Sequence, residues 1–307
     1  MSARHEPVLL AEVLGFLRAG PGLYLDATLG DGGHAFALLE AEPEARLLGT
    51  DRDALGLAFA RERLARFGSR VTLAQATFGE VREAHLAIGA EPFTGALMDL
   101  GLSSRQIDDP SRGMSFGADG PLDLRFDTGS GTPLRARLTT AGEAEIADAL
   151  HVHGDVPRSR ALARAIVGAA REGRLERTSE LCALIDRVLG GRPHPRRYAQ
   201  VFQALRTWIN DEARDLDGML EWLPGVMRPG GVVVTLAYHS GEDRRIKQAV
   251  RGRVTFTPRR LPVAIESAAV SPWEALTSRV VRPSEQETAT NPRARSARLR
   301  AFRRKRT

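Results

Sequence analysis

Leu23-Tyr24-Leu25-Asp26-Ala27-Thr28-Leu29-Gly30-Asp31-Gly32-Gly33-His34 decides the fold. The apolar run Leu23–Thr28 reads as a buried strand, and the glycines after it let the backbone turn tightly and pass close to a ligand. A helix is expected from Ala35 to Glu42, then a second strand from Arg46 to Asp51. Asp51 lies 21 residues after Gly30, at the end of that strand, where a carboxylate accepts hydrogen bonds from the ribose hydroxyls of a nucleoside cofactor. A dinucleotide fingerprint read from Gly30 requires glycine at position 35, which is Ala35. Asp26 and Asp31 around the turn would repel a pyrophosphate. They suit S-adenosylmethionine, which carries a sulfonium and an ammonium group.

Outward from this stretch the strand and helix signals alternate. Ala54–Phe67 has helical spacing, and Val71–Ala76 and Gly95–Leu100 read as third and fourth strands. This is the pattern of an open α/β sheet with right-handed crossovers. It breaks after Leu100. Residues 101–135 are rich in Gly, Ser, Asp and Pro without periodicity. Helices are then expected at Glu143–His151, Arg158–Glu172, Ser179–Leu189 and Tyr198–Leu220, with Thr178 or Ser179 as an N-cap and Gly190-Gly191 as a stop. Pro229–Leu236 returns to a turn and a buried strand. An α/β domain is thus interrupted by an all-helical insertion and then completed. The expected divisions are residues 1–107, a loop-plus-helical substrate-recognition insertion at 108–205, and a completion at 206–307 that ends in a basic strand and tail.

Composition bounds the function. The 307 residues are 42% apolar and 27% charged, enough to bury a core, so a largely disordered chain is excluded. No apolar run approaches the roughly 20 residues of a membrane span, and Val8–Leu17 has no signal-peptide layout. The single cysteine, Cys182, excludes an internal disulfide and a cysteine-cluster zinc site. A cytoplasmic, soluble protein without membrane partners is expected. Net charge is +6, but residues 291–307 hold seven arginines, one lysine and no acid, so the remainder sums to −2. A basic segment of this kind points to nucleic acid.

Three further stretches carry polar chemistry. Asp99-Leu-Gly-Leu-Ser-Ser104 follows the fourth strand, at the strand end that faces the ligand crevice of an open sheet. Leu236-Ala-Tyr-His239-Ser-Gly-Glu-Asp243 follows the fifth strand. Arg112–Phe116 and Gly120–Asp127 are too patterned for a plain linker. None spells a metal site, since His239, Glu242 and Asp243 lack zincin spacing. A serine hydrolase is disfavoured by the absence of a Gly-x-Ser-x-Gly elbow.

Together these residues resemble the bacterial ribosomal RNA small-subunit methyltransferase H family, also called MraW, over nearly the whole chain. The matching blocks include His5–Leu10, Gly30–His34, Asp51–Asp53, Asp99–Ser104 with Gln106 and Asp108, and Arg112–Phe116. They continue with Gly120–Asp127, Phe202–Arg206, Asn210 with Glu212, His239–Arg244 and Asn291–Arg300. The resemblance implies a Rossmann-like S-adenosylmethionine-dependent methyltransferase sheet with an inserted helical domain. It implies methylation of the exocyclic N4 of a cytidine in 16S rRNA, in the decoding region of the small ribosomal subunit. Cofactor positions carried over are Gly32, Gly33, His34, Asp51, Phe78, Asp99 and Gln106, with Phe78 placed to stack on adenine; its other reading is a core residue. The chain departs from the family at Gly241, where a leucine is usual, at His153–Val156 and at Gln200. Gly241 is expected to loosen the loop bearing His239.

The expected chemistry needs no metal, because a sulfonium donor is already activated. The cytosine amino nitrogen must become more tetrahedral, and acceptors on its protons would stabilise the developing charge. The Asp99–Ser104 turn, through a backbone carbonyl or Ser103, is the expected source of those acceptors. His239 borders the base or takes a proton, and Asp99 serves either chemistry or the cofactor alone. Trp208, Arg206 and Asn210 are candidate RNA contacts. Ala297–Ala301 reads as a strand whose arginine face grips phosphate. The oligomeric state, monomer or homodimer, is left open, as is free RNA against assembled subunit as substrate. Alternatives that remain are a methyltransferase for another RNA or DNA amino group and a non-catalytic RNA-binding assembly factor.

Overall fold

The computed structural model describes residues 7–190, 193–252 and 270–306. His5, Glu6 and Gly191, named above, lie outside the described residues. The chain divides into two compact units, residues 1–101 with 214–307, and residues 102–213. The divisions fall at 101/102 and 213/214, against the expected 107/108 and 205/206.

The first unit begins with α1 (Leu10–Leu17), β1 (Gly22–Asp26), α2 (Gly33–Ala41), β2 (Ala45–Asp51), α3 (Ala54–Leu64), β3 (Val71–Gln75), α4 (Val81–Ala87) and β4 (Phe93–Asp99). The second unit holds α5 (Ser104–Asp108), α6 (Leu134–Thr140), α7 (Glu143–Gly154), α8 (Ser159–Arg171), α9 (Thr178–Leu189) and α10 (Pro195–Ile209). The chain continues with α11 (Glu212–Val226), then β5 (Met227–Ala237), α12 (Ser240–Val250), β6 (Trp273–Ala275), α13 (Glu285–Thr290) and β7 (Arg298–Arg304).

The seven strands form one sheet in the order β3-β2-β1-β4-β5-β7-β6. β1 to β5 run parallel, and β7 lies antiparallel between β5 and β6. The central strands are apolar on both faces because helices cover both. Tyr24 packs with Leu17, Leu38 and Leu64 on one side, while Leu23 and Leu25 pack with Leu216, Leu220 and Leu223 on the other. That alternation of period two fixes the register of β1 and sets Asp26 at its carboxyl end. β2 and β4 end the same way, in Asp51 and Asp99.

The expected strand at Ala297–Ala301 is β7, Arg298–Arg304, and three of its arginines engage partners within the protein. Arg300 makes a two-point pair with Asp243 of α12, Nε to Oδ1 at 2.6 Å and Nη2 to Oδ2 at 3.3 Å. Arg304 donates to the carbonyls of Pro224 and Pro272, and Arg303 pairs with Glu274 on β6. β7 pairs with β5 on one side and β6 on the other.

In the second unit the helices enclose their own core, with Leu138, Ile146, Leu150, Leu162, Ile166, Leu181, Ile185 and Leu205 fully buried. The expected helix Tyr198–Leu220 is two helices. Asp211 between them has φ +52°, a left-handed conformation that Asn and Asp adopt more readily than other non-glycine residues. Thr178 is the first helical residue of α9, not its N-cap. Its hydroxyl accepts the Gly120 N–H at 3.1 Å and so ties the patterned loop to the helix.

Two of the expected RNA contacts have structural work instead. Asn210 is buried; its amide donates to the Leu124 and Arg206 carbonyls and accepts the Phe126 N–H. Arg206 forms a two-point pair with Glu212 at 2.8 and 2.9 Å. Trp208 is partly buried, donates to Glu145 at 3.2 Å and lies under Arg137.

Candidate active site

The carboxyl ends of β1, β2 and β4 lie side by side in the sheet, so Asp26, Asp51 and Asp99 form one acidic edge. In an open α/β sheet this edge is where ligands bind. The glycine turn closes over it. Gly32, the residue before α2, has φ +75°, a conformation that favours glycine. Asp51 holds the turn down: Oδ2 accepts the Gly30 N–H at 2.7 Å and Oδ1 the Asp53 N–H at 2.8 Å. Gly33 opens α2 so close to Pro7 that a Cβ would stand 2.6 Å from its ring.

Asp99 is anchored more elaborately. Its N–H donates to Thr28 Oγ1 at 2.6 Å, and its Oδ1 accepts the Gly101 N–H at 3.2 Å. The neighbouring Tyr238 side chain favours its charged form. His34 Nδ1 stands 4.0 Å from Oδ2, beyond hydrogen-bond reach. The other ring nitrogen of His34 bonds to the Val8 carbonyl at 3.0 Å, which puts the proton on Nε2. Burial holds its pKa below the usual histidine value, so His34 is neutral at pH 7.

The three carboxyls are all pushed up, chiefly by burial. Asp26 is pushed up to about 7, chiefly by burial and then by Asp99 and Asp51, with the Thr28 N–H opposing the shift. Negative charge is therefore concentrated here and under-compensated. A bound cation relieves both the desolvation and the mutual repulsion, so these residues fit the sulfonium and ammonium groups of S-adenosylmethionine.

His239 lies just past β5 in a capping box at the start of α12. Its Nδ1 accepts the Glu242 N–H at 3.4 Å, and its Nε2 lies 2.9 Å from Glu242 Oε1. Glu242 Oε2 in turn accepts the N–H of Tyr238 at 2.8 Å and of His239 at 3.3 Å. Both ring nitrogens of His239 thus lie on the Glu242 side. Gly241 sits in the first turn of α12, beside a histidine that this box already holds.

The remaining expected residues fall elsewhere. Phe78 follows β3 and is half-buried, packed on the cluster that contains Leu216 and Met219. Ser103 and Gln106 belong to the second unit and form the capping box of α5. Ser103 Oγ accepts the Gln106 N–H at 3.2 Å, and Gln106 Oε1 accepts the Ser103 N–H at 3.0 Å. Thr28, Tyr238 and Glu242 carry the architecture of the acidic edge and were not singled out as site residues above. Tyr238 is, however, the residue directly after β5 and Thr28 the second residue after β1, where such contacts arise. Among the described residues no group of His, Cys, Asp and Glu could hold a metal ion, and no helix is long and apolar enough to cross a membrane.

Strand order, glycine turn and acidic edge together define an S-adenosylmethionine-dependent methyltransferase. Residues 2–305 match the MraW methylase family, and the chain belongs to that family. Relatives named ribosomal RNA small subunit methyltransferase H share this length. That of Methylobacterium sp. (strain 4-46) is 42% identical over 308 residues, spanning 97% of this chain and 90% of the relative. Those of Sorangium cellulosum (41% identical; 98% and 91% covered) and Thermomicrobium roseum (42% identical; 98% and 94% covered) are similar.

Proposed function

We propose that this protein methylates the exocyclic N4 of one cytidine in the decoding region of 16S rRNA, acting in the cytoplasm on the small ribosomal subunit. The observation that carries the reading is the acidic strand edge of Asp26, Asp51 and Asp99, a cation-seeking site, in a chain whose full-length relatives are named for small-subunit rRNA. S-adenosylmethionine supplies an activated methyl group and a neutral leaving group.

The chain's own residues bind, orient and exclude water. Asp51, with the turn at Gly30–Gly33, is the ribose position. Asp99 and Asp26 face the cationic portion, Phe78 offers a ring to the adenine, and Gln106 and His34 complete the cofactor set. Holding donor and acceptor in line supplies much of the acceleration. The cytosine must be unstacked from the RNA to reach a buried donor. Carbonyl and hydroxyl oxygens of the Asp99–Ser104 turn, Ser103 included, accept the amino protons as the nitrogen gains positive charge. His239 borders the base. The exposed Arg293 and Arg295 near the C-terminus, and Arg158, Arg160 and Arg196 of the helical unit, are the phosphate-contacting candidates.

The test incubates the protein and labelled S-adenosylmethionine with small subunits from cells lacking this activity, followed by nucleoside digestion and mass analysis. Label in N4-methylcytidine at a single site is the expected result. Label in another nucleoside overturns the acceptor. No label, with donor binding demonstrated, favours an assembly role.

A further inference from the structure

Phe116 is a large apolar side chain held out in water on a braced loop, and no step above uses it. It is 38% exposed, whereas Met114 before it and Leu122 after it are buried in the core of the second unit. The loop is pinned at its base. Thr178 of α9 donates its N–H to the Gly120 carbonyl at 2.9 Å, and a Cβ on Gly120 would collide with the Pro110 carbonyl. Asp119 accepts Arg177 Nε at 2.6 Å and the Ser179 N–H at 3.1 Å. Phe116 therefore projects from a fixed frame, the setting in which loop residues bind ligands. Two more rings lie beneath it. Its ring centroid is 5.7 Å from that of Tyr198 and 5.9 Å from that of Phe202, at interplanar angles of 57° and 68°. Both neighbours share one face of α10 at i, i+4 spacing, and the Tyr198 hydroxyl is anchored on Asp186 at 2.6 Å. Neither neighbour stacks face to face on Phe116.

A lone apolar residue on a surface is ordinary. An exposed ring seated on two anchored rings is not, and its charge surroundings say what it fits. Between Asp186 and Asp211 the chain carries five arginines and no acid. Arg196, exposed, and Arg197, half-buried, stand in the first turn of α10 directly ahead of Tyr198. The nearby carboxylates are engaged, Asp119 by Arg177 and Ser179, and Asp186 by Tyr198. An aromatic face among cations matches a strand of nucleotides, each a flat π face on an anionic backbone. Paired bases are stacked away inside a helix, so the match is to an unpaired one. We infer that Phe116, backed by Tyr198 and Phe202, is a stacking platform for an unpaired RNA base, with Arg196 contacting its phosphate. This rests on the reading of RNA as substrate and is independent of which atom is methylated.

The experiment measures binding of the full chain to a short single-stranded RNA of mixed sequence, and to the duplex of the same sequence, across a salt series. Phe116→Ala is expected to weaken single-strand binding about tenfold, the loss of one base-on-ring stack. Duplex binding and the log–log salt slope should not move. Phe116→Trp should keep the single-strand affinity, whereas Phe116→Leu, apolar but without a flat π face, should lose as much as alanine. Arg196→Ala should instead lower the salt slope by about one. With 5-iodouridine in the strand, irradiation should crosslink the peptide carrying Phe116. Full affinity in Phe116→Leu, equal losses on strand and duplex, or crosslinks that bypass this loop would overturn the inference. So would a binding loss in Phe116→Ala that comes with a lowered melting temperature and is not rescued by Phe116→Trp, which makes the role structural. Native protein that binds neither RNA would overturn the RNA reading and this inference with it. Native protein that binds the strand no better than Phe116→Ala would overturn this inference alone and turn the patch over to a protein partner. No methyl transfer is measured, so a different acceptor atom leaves the result readable.

Discussion

The acidic edge at β1, β2 and β4 and the basic strand β7 are opposite in charge and opposite in outcome. Both are obvious concentrations of charge. In β7 the arginines find partners inside the protein: Arg300 with Asp243, Arg303 with Glu274, Arg304 with two carbonyls. At the acidic edge three carboxyls find backbone N–H groups and each other. Charge paired within the fold builds structure, whereas charge left under-compensated in a buried place seeks a ligand. The contrast separates charge that the fold consumes from charge that it leaves for a ligand.

The comparison breaks most easily at Asp51. Removing its carboxylate in Asp51→Ala frees the glycine turn and, on the proposed reading, deletes the ribose contact as well. Donor affinity should fall about a hundredfold, as expected for losing two or more hydrogen bonds to a charged group; calorimetric titration with S-adenosylmethionine checks it. Arg300→Ala tests the other side. It should lower stability by about 2 kcal/mol, a loss of charge-assisted bonds with both side chains mostly buried, read as a shifted denaturant midpoint. The salt dependence of RNA binding should not move. A phosphate grip would instead lose about one unit of log–log slope with stability intact.

The pH dependence sharpens the acidic edge further. Between 3.8 and about 7 the folded protein keeps a proton on Asp26 that the unfolded chain has lost. Stability of the donor-free protein is therefore fully present below that window and declines as pH rises through about 7. Asp51 and Asp99 are displaced in the same direction. Asp26→Asn should melt several degrees higher than the native protein at pH 8, with the difference closing toward pH 5. A constant difference would contradict the assignment. The smallest effect is expected at Arg295, exposed near the C-terminus. Arg295→Ala should reduce the salt slope of RNA binding by about one and leave the melting temperature unchanged.

Much of this was legible before the fold was known, for definite reasons. Strands β1, β2 and β4 are apolar runs ended by aspartate, so their ends and the acids on them could be placed to within a residue or two. The break at Asn210-Asp211 was hidden because the apolar spacing runs on across a junction that carries no glycine or proline, and only the tolerance of Asp for positive φ betrays it. Asp51 and Asp99 were recognisable from their place at strand ends. Tyr238 and Thr28 were not, since their contacts are made across strands to residues far away in the chain. Arg206 and Asn210 looked like RNA contacts by residue type, yet both are engaged by partners that periodicity does not reveal.

The most direct measurement is a carboxyl-carbon NMR titration of the donor-free protein, with Asp26 assigned by the Asp26→Asn variant, repeated with S-adenosylmethionine and with S-adenosylhomocysteine. Asp26 should titrate near 7 in the free protein and move well below that with S-adenosylmethionine, and less with the uncharged product. Titration of Asp26 in the ordinary carboxylate range, or an equal response to both compounds, would contradict the reading of this edge as a latent cation site.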